Sequence, residues 1–151
     1  MKLLVLLGLV AGCASSSAPA TTTTTTTTPT APPSVATIEG PPVRGVEFPA
    51  SAGTGDPREV KVLVDEPALK LVTIVLRRGT ALPEHHAQVP VTIQALQGVG
   101  TVDAGGEKLR IDPTHAVVLA AKVPHAVTPE AGADLVLLVH HHGRADERHA
   151  H

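Results

Sequence analysis

Residues 79–98 read GTALPEHHAQVPVTIQALQG, and residues 115–127 read HAVVLAAKVPHAV. Each stretch sets an apolar run rich in Val and Ile beside histidine: His85 and His86 in the first, His125 in the second. Branched Cβ atoms pack well on a pleated surface, so these runs predict strands. The histidines stand next to the strands rather than in the middle of them. His125 follows Pro124 and leads directly into Ala126 and Val127.

Working outward, the same signature recurs. Val60, Val62 and Val64 form an alternating strand pattern, and LKLVTIVL over residues 69–76 forms a second. Residues 83–90, bracketed by Pro83 and Pro90, read as a bend or loop carrying Glu84, His85 and His86. Strands are predicted over 91–96, from 98 to 102, over 107–111, 116–120, 126–128 and 135–141. Asp103-Ala104-Gly105-Gly106 reads as a hairpin turn. No segment shows a helical period. About eight short strands at regular spacing imply an all-β sandwich or barrel. Upstream, residues 37–57 are turn-rich, and Val43 and Val46 predict a leading strand tucked onto the domain.

Composition narrows the chemistry. The chain has 151 residues, is 42% hydrophobic and only 1% aromatic, and carries a net charge of −2. Its core must be built from Val, Leu, Ile and Ala. Without a basic footprint or stacking aromatics, nucleic acid is excluded as a partner. The one cysteine, Cys13, cannot form an internal disulfide.

The first residues, MKLLVLLGLVAGC, read as an export signal with a positive Lys2, an apolar run and small residues at its end. The run is too short to cross a bilayer, which takes roughly 20 residues. Val10-Ala11-Gly12-Cys13 resembles the bacterial lipoprotein box, which implies lipidation of Cys13 and anchoring to the membrane through that lipid. Ala14 after the cysteine implies the outer membrane in a two-membrane envelope. Residues 14–36 are low-complexity, with eight threonines at 21–28 and prolines around them. They have nothing to bury, so they predict a disordered tether reaching up to roughly 70 Å. The expected organisation is a signal at 1–12, lipidated Cys13 and linker at 13–40, a barrel at 41–143 and a His-containing tail at 144–151.

The glycine and histidine spacing resembles the cupin superfamily of RmlC-like proteins. Its first motif, G-x5-H-x-H-x3-E-x6-G, starts at Gly79 and lands on His85 and Gly98; its second His falls on Ala87 and its Glu on Val91. Its second motif, anchored on His125, finds Thr114, Ala120, Lys122 and Pro129 at the other signature positions. The resemblance covers roughly residues 40–143. It implies an all-β double-stranded β-helix, or jelly-roll barrel, with a site between the sheets.

In that family three His and one Glu hold a divalent metal, so the resemblance implies one transition metal (Fe, Mn, Zn, Ni or Cu) at His85 and His125. A one-residue slip of the strand instead turns Glu84 and His86 inward, because alternate residues share a face. Glu84, His86 and His125 would then make a two-His, one-carboxylate set. Gln94 either faces the cavity or faces solvent, and His115 is expected to be exposed. His140 or His142 could turn inward from the last strand. Three functional readings follow: an envelope-anchored domain binding a metal or small-molecule ligand inside the barrel, a degenerate cupin binding a ligand or partner without catalysis, and metal capture by the His tail. Exposed strand edges also make a homodimer an expectation.

Overall fold

The computed structural model describes residues 38–143. The signal, Cys13, the Thr/Pro-rich stretch and residues 144–151 lie outside the described residues. Among those described there are nine strands and no helix. They are β1 (Arg58–Asp65), β2 (Leu69–Leu76), β3 (Leu82–His85), β4 (Val91–Gln97), β5 (Gly100–Ala104), β6 (Glu107–Ile111), β7 (Ala116–Leu119), β8 (His125–Pro129) and β9 (Leu135–His142).

Two antiparallel sheets result, one ordered β1-β2-β9-β4-β7 and the other β3-β8-β5-β6. From β2 onward the chain passes repeatedly between the sheets, with only β5 and β6 joined as a hairpin within one. This winding is the double-stranded β-helix. The β5–β6 hairpin turns through Gly105-Gly106, as the sequence predicts.

Inward side chains stack in rungs across each sheet. In the larger sheet, register aligns Val72, Val139, Ile93 and Val117 in one rung and Ile74, Leu137 and Ala95 in the next. In the smaller sheet, Leu82, Val127 and Val102 align, as do Pro129, Gly100 and Ile111. The buried cluster is entirely Val, Ile, Leu and Ala. Aliphatic side chains suit such a narrow interior, because they fill it with well-defined rotamers and no polar atoms to satisfy.

Two expectations need correction. Residues 38–57 form no strand, and Val43 remains 88% exposed. These residues run instead as an irregular arm held to the outer face of the larger sheet. Ala52 packs there against Val75, Val136 and Leu96. Arg44 pairs with Glu66 at 2.7 Å, and Glu66 also accepts the Glu39 N–H. The principal tie is Arg77, whose guanidinium donates to the carbonyls of Ala52, Gly53 and Asp56 and to Glu59.

The second correction concerns residues 83–90. Their first part is strand β3, not loop. Leu82 pairs with Val127 and His85 with His125, so three steps along β3 match two along β8. The extra residue is a β-bulge. Pro83 lies within it and has no N–H for the ladder, which makes this the natural place for pairing to break.

Candidate ligand site at the open end of the barrel

A cavity of about 90 Å³ lies between the sheets. Ile74, Leu82, Val91, Ile93, Val127, Leu137 and Val139 make its aliphatic wall. Among the described residues, the only polar side chains on that wall are four imidazoles: His85, His86, His125 and His141. Along β8, His125 precedes Val127; along β9, His141 follows Leu137 and Val139. The imidazoles therefore cap one end of an apolar hole.

His85 reaches this wall because of the bulge. Leu82 and His85 are an odd number of residues apart, so strict alternation would put them on opposite faces. The extra residue reverses the parity and brings His85 opposite His125. The two ring centroids are 4.3 Å apart, with planes tilted by 54°. Each ring is fixed in the same way: His85 Nδ1 donates to Pro83 O and His125 Nδ1 to Val123 O, both at 2.9 Å. In a neutral ring held this way, Nε2 is the acceptor.

His125 is only 3% exposed. Burial holds its imidazole below the ordinary pKa; the bond to Val123 opposes this, and nearby His85 and His86 add to the lowering. Burial likewise lowers His141, helped by Lys70 and by His125, His142 and His85. Both rings thus favour the neutral, accepting form. His86 also lines the cavity, and its Nε2 accepts a hydrogen bond from the Gln88 amide at 3.1 Å. Glu84 is exposed and is not part of the cavity wall.

Of the four ligand positions carried by the family resemblance, His85 and His125 hold imidazoles. The other two hold Ala87 and Val91, both on the cavity wall. Among the described residues no three His, Cys, Asp or Glu side chains converge to hold a metal ion. A complete centre of three His and one Glu therefore does not fit this donor set.

His141 was missed because the sequence pointed to its neighbours. His140 and His142 lie on the opposite face of β9 from Leu137, Val139 and His141. His142 Nε2 is hydrogen-bonded to Thr92 Oγ1 at 2.8 Å. The His140 Nε2 is buried with no partner among the described residues. Leu135 to Val139 are all apolar and buried, so alternation did not single out His141. Gln94 shares the outward parity of Thr92 and is absent from the cavity wall, whereas Val91 and Ile93 line it. His115 is exposed and bound to Asp112, which also accepts from Thr114 and Arg110.

Comparison with solved structures places this architecture. An RmlC-like cupin with a double-stranded β-helix fold from Methanocaldococcus jannaschii superimposes with a TM-score of 0.61 at 21% identity, covering 74% of this chain and 100% of that one. A cupin superfamily protein from Desulfitobacterium hafniense gives 0.54 at 13% identity, covering 64% and 84%. KdgF from Halomonas sp. gives 0.50 at 25% identity, covering 58% and 81%. The fold is thus that of the cupins. No protein-family model matches the sequence, and no curated protein is similar to it.

Proposed function

We propose that this chain is an exported, lipid-anchored cupin-fold protein that binds a small, largely apolar ligand between its sheets. One observation supports the binding reading above others. The cavity wall is aliphatic except at its imidazole end, where His85 and His125 lie side by side with fixed Nδ1 atoms and accepting Nε2 atoms. Such a wall suits a group of a few carbons carrying a hydrogen-bond donor. A cavity of roughly 150 Å³ holds benzene, so about 90 Å³ suits roughly three or four carbons.

A second reading draws on the same pair of acceptors. Two adjacent imidazoles whose Nδ1 atoms are already engaged can ligate a divalent transition metal through Nε2, and His85 and His125 would hold it, with His86 and His141 beside them on the wall. A metal held there would act as a Lewis acid toward whatever enters the cavity.

One titration separates the two. The Cys13→Ser chain, labelled with 15N, is followed by NMR as isobutanol or Zn²⁺ is added. Saturable isobutanol shifts at Val127, Val139 and His125, weakened severalfold in His125→Leu, are expected. Stoichiometric Zn²⁺ uptake lost in both His125→Leu and His85→Ala would favour the metal reading. Absence of both responses would sink both.

The anchor reading rests on Val10-Ala11-Gly12-Cys13 following the apolar run. In a bacterial host, fatty-acid labelling of the chain is expected and should vanish in Cys13→Ser. Labelling that persists would overturn it.

A further inference from the structure

Strand β1 ends the larger sheet, and among the described residues no strand pairs with its far side. Arg58 to Val62 are exposed along their length, whereas Val64, past the register shift at Val62/Val64, is buried. An open strand edge carries unpaired backbone groups and is a template for another strand.

The ladder fixes which groups this edge offers. Arg77 N–H donates to Pro57 O at 2.8 Å, so Pro57 and Arg77 are a hydrogen-bonded pair. Such pairs alternate with non-bonded ones along an antiparallel ladder. Register runs without a shift from Arg58–Leu76 to Val62–Val72. Glu59 and Lys61 therefore bond to β2, and the N–H and C=O groups of Arg58, Val60 and Val62 point away from it. Arg44 to Glu47 of the arm border β1 around Lys61 to Glu66, but among the described residues no loop backbone group bonds to those three.

Side chains follow the same parity. Val60 and Val62 pair with Ile74 and Val72, whose side chains belong to the core, yet they are 55% and 49% exposed. Glu59 and Lys61 lie on the opposite face, both exposed, with Glu59 Oε2 accepting from Arg77.

These patterns select one occupant. A second, antiparallel copy of the edge must set open residues against open residues. Centred on Arg58, Glu59 or Lys61, that pairing puts like charges opposite each other. Centred on Val62, it runs into the register shift. Centred on Val60, it puts Glu59 opposite the second copy's Lys61 and, by symmetry, Lys61 opposite Glu59. The same register sets Val60 against Val60 and lays the Arg58 stem over Val62. The edge is thus complementary to itself in charge, in apolar contact and in backbone hydrogen bonds.

We propose that two copies of this chain pair through β1, antiparallel and centred on Val60, joining their larger sheets into one. The contact is isologous. A single strand pair lies at the small end of specific interfaces, so the dimer is reversible and its population rises with concentration.

The test uses the Cys13→Ser chain, which has no other cysteine. Sedimentation velocity over rising concentration should show a monomer–dimer equilibrium. Val60→Pro removes an N–H that β2 does not use, so the melting midpoint should hold while the dimer disappears. Lys61→Glu should weaken dimerisation at least tenfold, because symmetry reverses the cross-strand charge pair twice. Val60→Cys, added to Cys13→Ser, reads the register. Hydrogen-bonded partners stand about 5.5 Å apart at Cα, within disulfide reach, so mild oxidation should link the copies. Arg58→Cys, which would face Val62, should link at least tenfold more slowly. A chain that is monomeric at every concentration overturns the proposal. So does a dimer that survives either Val60→Pro or Lys61→Glu, since its contact lies elsewhere. Equal linking by the two cysteine variants overturns the Val60-centred register.

Discussion

Gly98→Ala is expected to destabilise the domain by about 3–5 kcal/mol, among the largest effects a single methyl group produces. Gly98 has φ of +85°, and an L-residue in left-handed backbone costs roughly 1–2 kcal/mol. The steric part is larger. A Cβ there would stand 2.3 Å from Asp134 O and 3.3 Å from Asp134 C and Leu135 Cα. All three are backbone atoms, so no rotamer change relieves the contact. The opposing segment is itself tied down: Gly79 N–H donates to Ala133 O at 2.7 Å, and Arg78 N–H to Asp134 Oδ1 at 2.8 Å. At roughly 4–8 °C per kcal/mol for a domain of this size, the melting midpoint should fall by about 12 °C or more. Gly105→Ala is the control. It shares positive φ, but a Cβ there meets nothing within 4 Å, so a loss near 1 kcal/mol is expected. Equal, small losses at both positions in a denaturant titration would show that the close approach at Gly98 imposes no constraint.

Replacing Arg77 by Met should cost about 2–4 kcal/mol, because the buried carbonyls it serves lose their donors at roughly 1–3 kcal/mol for each acceptor left unsatisfied, while Glu59, 57% exposed, is returned to water. The Arg77 side chain is 7% exposed. Its Nε and Nη2 both donate to Ala52 O, at 2.9 and 2.6 Å, its Nη1 to Asp56 O at 2.5 Å, and its Nη2 also to Glu59 at 2.9 Å. Methionine fills the space and leaves those carbonyls without their donors. Lysine should rescue little, because its ammonium cannot reproduce the planar fork. The loss should be local as well as global: limited proteolysis should cut within residues 38–57 while β1 to β9 stay protected. Uniform resistance in the variant would mean that the Ala52 contact holds the arm by itself.

The strands of the larger sheet were readable because their turns are marked by Gly, Pro and Asp; the valines of β1 marked it as a strand, although a register shift between Val62 and Val64 sets Val64 on the other face from Val60 and Val62. Elsewhere the physics hid the signal. In β9 both faces are apolar: Leu137 and Val139 point into the barrel, while Val136 lies under Ala52 of the arm. With no polar face to set parity, three consecutive histidines gave no indication of which one turns inward. The arm's anchor was equally hidden, since Arg77-Arg78-Gly79 reads as a charged turn and gives no hint that the first arginine is buried. The cupin glycine spacing was legible at Gly79 and Gly98 because both turns press backbone against residues 132–135. The site was legible only in its residue types. Spacing placed His85 and His125 near a common wall, but the place of His141 on that wall follows from register that only the folded sheet reveals.

The bulge in β3 has an evolutionary consequence. Because one surplus residue sets which side chain meets His125, a single-codon insertion between Leu82 and Glu84 that kept the one-residue bulge would shift the register by one. Glu84 would then take the position His85 now holds. The imidazole pair would become a carboxylate–imidazole pair without any residue of the core being altered. A lineage carrying this segment can therefore change the chemistry of its barrel by a length polymorphism rather than by substitution.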